Sequence, residues 1–271
     1  MNQKYVTFIW QGRCANQIYQ LLQAYAYALK HKQPLYVPQT AQSCDNTIYL
    51  KDLPFGKFPI ELTPEMNYFI YDEPLNNEQL PYFHEVPQFN TVCFRGYWQS
   101  FKYFDEYRRQ ILFLMEDYIP YEGEKFKEYV SIHVRRGDYL QLSEKLNLMS
   151  LEYYQNCVAH MMTLGFRKFL IFSDDIPYCK SDIFTKSDAL ATRNFPEGIE
   201  FIFAEGNNEL TDLSLMSSCH SNIVANSSFS YMGAWLNQNP EKVVITPDID
   251  NLFKGHNADM IPAEWKQYPN F

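Results

Sequence analysis

A chain of 271 residues with 23 Lys and Arg against 32 Asp and Glu, a formal charge of −9, is long enough for one or two cored domains and too acidic for general binding to a nucleic acid. Its six cysteines, at positions 14, 44, 93, 157, 179 and 219, form no CxxC pair, which excludes a zinc-finger or disulfide scaffold and fits reduced thiols. No apolar run approaches the roughly 20 residues of a membrane span, and the apolar stretch near the N-terminus is too short for a signal peptide, so the expectation is a soluble cytoplasmic protein without a transmembrane segment.

Residues 5–10 have the β-branched and aromatic make-up of a buried strand. Gly12 interrupts them, after which Ile18, Leu21, Leu22, Tyr25, Ala26 and Leu29 recur at helical spacing. A second strand is predicted over 34–38, and 41–88 reads as irregular, with prolines at 54, 59, 64, 74, 81 and 87. Residues 91–100 read as strand and loop, and 101–115 as one amphipathic helix. A second block opens near Tyr121. In it, strands over 129–134, 168–173, 199–204, 221–226 and 242–246 alternate with helices over 151–164, 209–219 and 227–237. Such alternation predicts parallel α/β sheets with right-handed crossovers, and two blocks predict two Rossmann-like domains, over 1–120 and 121–250, with 251–271 as a tail.

In parallel sheets, ligands gather where loops leave the carboxyl ends of strands. Three polar clusters fall there: Arg135-Arg136-Gly137-Asp138, Ser173-Asp174-Asp175 and Asn226-Ser227-Ser228-Phe229. Arg135 and Arg136 continue the strand alternation, so they project from opposite faces. A guanidinium meets a phosphate through two parallel hydrogen bonds and keeps its charge at any working pH; Arg135 is assigned to an anionic ligand and Arg136 to a structural ion pair. Asp138 either orients an arginine or acts as a base. Asn226, Ser227 and Ser228 precede a helix, where they either cap it or help its unpaired N–H groups seat an anion. Asp174 and Asp175 match the paired donors of a guanine edge; being adjacent, they point apart in an extended chain and make a poor metal pair. His133 alone reads as a core histidine. The rings of Tyr97, Trp98 and Tyr103 suit the face of a sugar. There is no Walker A, GxSxG or GxGxxG sequence.

Taken together, HVRRGDY (133–139), FSDD (172–175), LMSSCHSNIVANSSFSYMGAWL (215–236), FRGYWQSFKYF (94–104) and GRCANQIYQ (12–20) resemble the inverting α-1,2-fucosyltransferases of glycosyltransferase family 11, in the right order over about residues 5 to 247. The resemblance implies a GT-B-like fold, two Rossmann-type domains facing a cleft, with the N-terminal one on the acceptor side and the C-terminal one binding the GDP-sugar. It implies GDP-β-L-fucose as donor, inversion at C1, and no metal or other cofactor. It places Arg135 on the diphosphate, Asn16 near the reacting centre with Gln17 beside it, Ser227, Ser228 and Phe229 on phosphate, and Asp174 or Asp175 on guanine. His133, Asn226 and Arg13 complete the expected donor-binding set. Arg135, Asp138 and Asn16 form the expected catalytic set, and Tyr97, Trp98 and Tyr103 the acceptor-binding rings. The implied acceptor is a galactose-containing glycan attacked through its 2-hydroxyl, soluble or lipid-linked; the latter brings peripheral contact with the inner face of a membrane. The chain departs from the family at Gly12-Arg13-Cys14-Ala15-Asn16-Gln17, where GGLGNQ is usual, and at Tyr178 and Tyr231, which stand where tryptophan is common. Two alternatives stay open: a GT-B transferase using another nucleotide-activated sugar, and a glycan- or nucleotide-binding module without turnover.

Overall fold

A computed structural model describes residues 4–38, 47–50, 67–75, 82–141, 147–184, 195–248 and 260–270. The chain divides into two compact units, Met1–Tyr118 with Asn257–Pro262, and Ile119–His256 with Ala263–Phe271.

The first unit contains β1 (Tyr5–Phe8), α1 (Cys14–His31), β2 (Phe69–Asp72), β3 (Thr91–Arg95) and α2 (Arg108–Met115). Its strands pair in the order β1-β3-β2, all parallel. The helical spacing seen in the sequence is the buried face of α1: Ile18, Leu21 and Leu22 are fully enclosed. The helix stops at Lys32, whose left-handed backbone (φ 52°) lets its N–H reach the carbonyls of Ala28 and Leu29. Three expectations are corrected here. Residues 34–38 make one bridge, Val6 to Leu35, in place of a strand, because Pro34 and Pro38 supply no N–H to a ladder. β2 lies inside the stretch read as irregular, most of which falls outside the described residues. The helix predicted over 101–115 begins as two 3-10 turns, Phe101–Tyr103 and Asp105–Tyr107. Their tighter winding stacks residues three apart on one side, bringing Phe101 and Phe104 together against Tyr19, with ring centroids 5.7 and 5.8 Å away.

The second unit runs α3 (Gly123–Phe126), β4 (Tyr129–Val134), α4 (Leu151–Thr163), β5 (Lys168–Ser173), α5 (Ile176–Tyr178), β6 (Glu200–Phe203), α6 (Glu209–Ser218), β7 (Ser221–Ile223), α7 (Ser228–Leu236), β8 (Val244–Pro247) and β9 (Lys266–Tyr268). Its strands form one parallel sheet, β6-β5-β4-β7-β8-β9. From β4 the chain builds outward to β6, returns to the other side of β4, and builds outward again to β9. That is the Rossmann order, and the reversal between β4 and β7 opens a crevice at their carboxyl ends. β9 comes from the residues read as a tail; Lys-Gln-Tyr has no apolar alternation because it is an edge strand.

Both faces of this sheet are covered. Val130, Ile132 and Val134 of β4 pack with Tyr153, Tyr154, Cys157, Val158 and Met161 of α4. Leu170 and Phe172 of β5 meet Met216 and Cys219 at the end of α6 and Phe126 of α3. Double burial explains why these strands read as nearly continuous apolar runs. The polar residues on this second face are satisfied internally: Asn222 Nδ2 donates to Ser131 Oγ at 2.7 Å, and Asn237 Nδ2 to Asn222 Oδ1 at 2.9 Å. Among the described residues no helix is long and apolar enough to cross a membrane.

Candidate active site

The strand ends of the second unit are fixed from one helix. Tyr154 Oη donates to the carbonyl of His133 at 3.1 Å, and Tyr153 Oη to that of Val224 at 2.6 Å. Both tyrosines are fully buried. Carbonyls that have left the ladder are thereby satisfied, and the loops beyond start from set positions. Sequence periodicity marks these tyrosines only as core.

Arg135 and Arg136 diverge, as strand alternation predicts. The side chain of Arg135 is 18% exposed; its Nη2 contacts Asp138 and its Nη1 lies 2.8 Å from Asp174 Oδ2. Its guanidinium also lies 5.1 Å from the centre of the Tyr139 ring. Arg136 reaches Asp175 Oδ2 through Nε at 3.1 Å and stacks 3.3 Å from the centre of the Tyr178 ring. The tyrosine found in place of a family tryptophan therefore supports the second arginine. The pair of aspartates expected at guanine braces this loop: Asp174 Oδ1 accepts the Arg136 backbone N–H at 2.9 Å, and Asp175 Oδ1 that of Tyr178 at 3.2 Å. Two guanidinium groups within reach give these carboxylates charge-assisted partners inside the protein. Gly137 is required by their approach, because a Cβ there would collide with Asp174 Oδ2.

Around Arg135, three buried polar atoms have no hydrogen-bond partner among the described residues: His133 Nδ1, Arg135 Nε and Asn226 Oδ1. Leaving such an atom unpaired costs about 1–3 kcal/mol, so three at the carboxyl ends of β4 and β7 mark a place prepared for a polar ligand. His133 packs beside Phe229, with ring centroids 5.7 Å apart. Burial, helped by the Arg135 charge, pushes its pKa down to about 3. It is a neutral hydrogen-bonding group at physiological pH. Asn226 is anchored by Nδ2 donating to the Asn147 carbonyl at 3.3 Å. Ser227 is the cap of α7, its Oγ accepting the Phe229 N–H at 3.3 Å. The first turn of α7, with the half-buried Ser228 and Phe229, brings the positive end of a helix to the same strand ends.

The remaining expected residues belong to the first unit. Gly12, at φ 69°, turns the chain from β1 into α1, and a side chain there would collide with Asn16. Arg13 is the exposed residue preceding α1. Asn16 Oδ1 accepts from Gln99 Nε2 at 2.6 Å, a partner that polarity alone did not single out. Gln17, expected at the donor, is instead 0% exposed. Its Nε2 donates to the carbonyls of Gly12 and Thr47 at 3.2 and 2.8 Å, and its Oε1 accepts the Tyr49 N–H at 3.0 Å. It is a strut between α1 and the segment after it. Trp98, expected to stack on a sugar, is also 0% exposed. It is enclosed by Tyr71, His84, Phe94 and Tyr103 at ring distances of 5.2 to 6.2 Å. Tyr103 is half-buried, its hydroxyl donating to the Tyr82 carbonyl at 3.0 Å. Of the three rings, Tyr97 is the exposed one, at 45%. Among the described residues no three His, Cys, Asp or Glu come together as a metal site.

Comparison with known proteins agrees with the motifs. Residues 65–268 match the family described as Glycosyl transferase family 11. The chain is 28% identical to Alpha-1,2-colitosyltransferase of Escherichia coli, over 87% of this chain and 89% of that one. It is 24% identical to Galactoside alpha-(1,2)-fucosyltransferase 2 of Gorilla gorilla gorilla, over 83% of this chain and 67% of that one. Its fold is similar to that of the selenomethionine crystal structure of the fucosyltransferase NodZ from Bradyrhizobium, with a TM-score of 0.51 at 14% identity over 94% and 98% of the two chains. The α/β architecture with parallel sheets is of the GT-B class. Because the family match runs through every strand-end motif of the second unit, the chain belongs to glycosyl transferase family 11 and is a glycosyltransferase.

Proposed function

We propose that this enzyme is an inverting α-1,2-fucosyltransferase that moves L-fucose from GDP-β-L-fucose to the 2-hydroxyl of a galactose-containing glycan, without a metal ion. The observation that carries the reading is the set of unpartnered atoms of His133, Arg135 and Asn226 gathered at the reversal between β4 and β7. As the bond from C1 to the diphosphate breaks, negative charge grows on the leaving GDP. Arg135 meets that charge with a guanidinium held in place by Asp138 and Asp174, and the N–H groups at the start of α7 add a fixed dipole. His133 and Asn226 contribute neutral hydrogen bonds. In this reading Asp138 is a positioning residue, since its carboxylate is engaged by Arg135. Asn16 with Gln99, Arg13 and the exposed Tyr97 are assigned to the first unit's share of the reaction, next to the acceptor.

The names of the relatives bear on the sugar. One is a fucosyltransferase and one a colitosyltransferase, and both make α-1,2 links. The second favours an alternative in which this fold moves another nucleotide-activated sugar. Incubation of the protein with GDP-fucose and a galactose-terminated disaccharide in the presence of EDTA tests the proposal. The expected result is GDP release with an α-1,2-fucosylated product by NMR, inhibited by GDP more strongly than by UDP or dTDP. Loss of activity in EDTA with recovery on adding a divalent ion overturns the metal-free mechanism. A higher kcat/KM with another activated sugar establishes the alternative.

A further inference from the structure

Gln23 lies on α1 and is only 2% exposed, and its Oε1 has no hydrogen-bond partner among the described residues. The glutamines before it on the same helix show the contrast. Gln17 is held by the backbone of Gly12, Thr47 and Tyr49, and Gln20 exchanges hydrogen bonds with the backbone of Gln11 at 2.9 and 3.0 Å. A buried acceptor left unpaired costs stability unless a ligand or water meets it.

Gln23 lines a cleft of about 150 Å³ formed by α1, residues 83–86 and residues 102–107, all of the first unit. A space of about this size holds a six-membered ring. Phe83, Tyr103 and Tyr107 add three half-buried rings to the lining, the first two with centroids 5.0 Å apart. The cleft is held in shape from two sides. Tyr27 Oη donates to the Pro87 carbonyl at 2.9 Å and accepts the Phe89 N–H at 2.8 Å, tying the segment before β3 to α1. Tyr103 Oη donates to the Tyr82 carbonyl at 3.0 Å, tying the same segment to the 3-10 turns. Such preorganisation lowers the cost of ordering the site around a ligand. At the mouth, the exposed Lys30 and Lys102 are matched in number by the exposed Glu85 and Glu106, so the rim offers no excess charge to a phosphate or carboxylate ligand. The unpaired amide oxygen disfavours a purely apolar occupant. An uncharged ring with C–H groups on its faces and hydroxyls on its edge suits both features, since a hydroxyl can donate to Oε1 while a face lies against the aromatic rings.

We propose that this cleft is a saccharide-binding site that takes one uncharged pyranose ring of a glycan. The choice of a sugar as ligand class rests on the glycan reading above, whereas the lining belongs to the first unit alone and shares no residue with the nucleotide site assigned to the second. In the bound state a ring hydroxyl donates to Gln23 Oε1, and the aromatic lining covers the C–H face of the sugar.

Titration of the protein with a neutral, galactose-terminated tetrasaccharide in the absence of any nucleotide sugar, followed by NMR, tests this. The expected result is saturable binding, with intermolecular NOEs from sugar ring protons to the rings of Phe83, Tyr103 or Tyr107. Gln23→Leu keeps the side-chain bulk and removes the acceptor. It is expected to weaken the Kd by about three- to tenfold, with GDP affinity unchanged and the urea midpoint level or higher, since no unpaired oxygen is buried any longer. A glutamine with a purely structural role would lower the midpoint and leave the sugar affinity alone. Tyr107→Ala, which removes one ring, is expected to weaken the sugar as well. No saccharide binding, the result if water alone satisfies Gln23, overturns the site, and so does binding that both variants leave within about twofold of wild type. Should a variant not fold, wild-type binding without NOEs to those three rings overturns it equally. A protein that binds the tetrasaccharide as expected but transfers no activated sugar overturns the transferase reading and leaves the cleft, whereas an active enzyme with unaltered sugar binding in both variants overturns the cleft alone.

Discussion

Each unit presses a carboxylate from a neighbouring strand against a glycine in a strand-end loop: Asp174 against Gly137 in the second, Glu73 against Gly96 in the first. Asp174 lies 2.8 Å from an Arg135 nitrogen and accepts the Arg136 backbone N–H. Glu73 has backbone N–H groups around it and no paired cation among the described residues. The same backbone device thus serves two ends. With a guanidinium present, the carboxylate fixes the cation in a half-buried place. Without one, desolvation dominates and the carboxylate keeps its affinity for a proton.

The most severe way to break this comparison is to remove the cation. Arg135→Ala leaves Asp174 without its partner guanidinium and takes away the positive charge proposed to meet the leaving group. The expected kcat falls by about 10²–10³-fold, with an unchanged circular-dichroism spectrum; near-normal turnover overturns the role proposed for Arg135. A gentler probe fills the glycine. Gly137→Ala drives a Cβ into Asp174, tilting Arg135 without deleting it. The expected cost is about 10- to 100-fold in kcat, with about 1–3 kcal/mol of stability lost to overpacking, read from a urea melt.

The smallest expected effect sharpens the electrostatics next to Arg135. His133 has a folded pKa of about 3 against an ordinary 6.5, so as pH falls through 6.5 the unfolded chain takes a proton that the folded one refuses. Its contribution to stability is therefore level above pH 6.5 and declines below it, by up to about 1.4 kcal/mol per pH unit until the folded value is reached. His133→Phe is expected to remove that slope between pH 5 and 6.5 in urea melts at stepped pH. An unchanged slope places the acid sensitivity elsewhere.

What the sequence discloses follows from how each element is buried. β4, β5 and α4 stand within a residue of where the apolar patterns place them, because sheet and helix hide whole runs of side chains. β9 and β2 escape notice, since these two edge strands expose most of their residues and keep no apolar alternation. The motif residues are visible as polar groups at strand ends, yet polarity does not name a partner. Gln17 looks available and is used up by three backbone groups, and Trp98 looks like a stacking platform and is enclosed. Glu73 passes unremarked for a related reason: its environment is set by a glycine in the loop after another strand, a long-range relation that no local window contains.

One feature bears on altering the sugar this enzyme takes. The phenols of Tyr153 and Tyr154, rooted in a helix on the far side of the sheet, tether the ends of β4 and β7 like the fixed posts of a jig. A redesign that swaps the transferred sugar must therefore reshape the loops past those posts, since moving a post itself strands a buried carbonyl and shifts the ends of β4 and β7 at once.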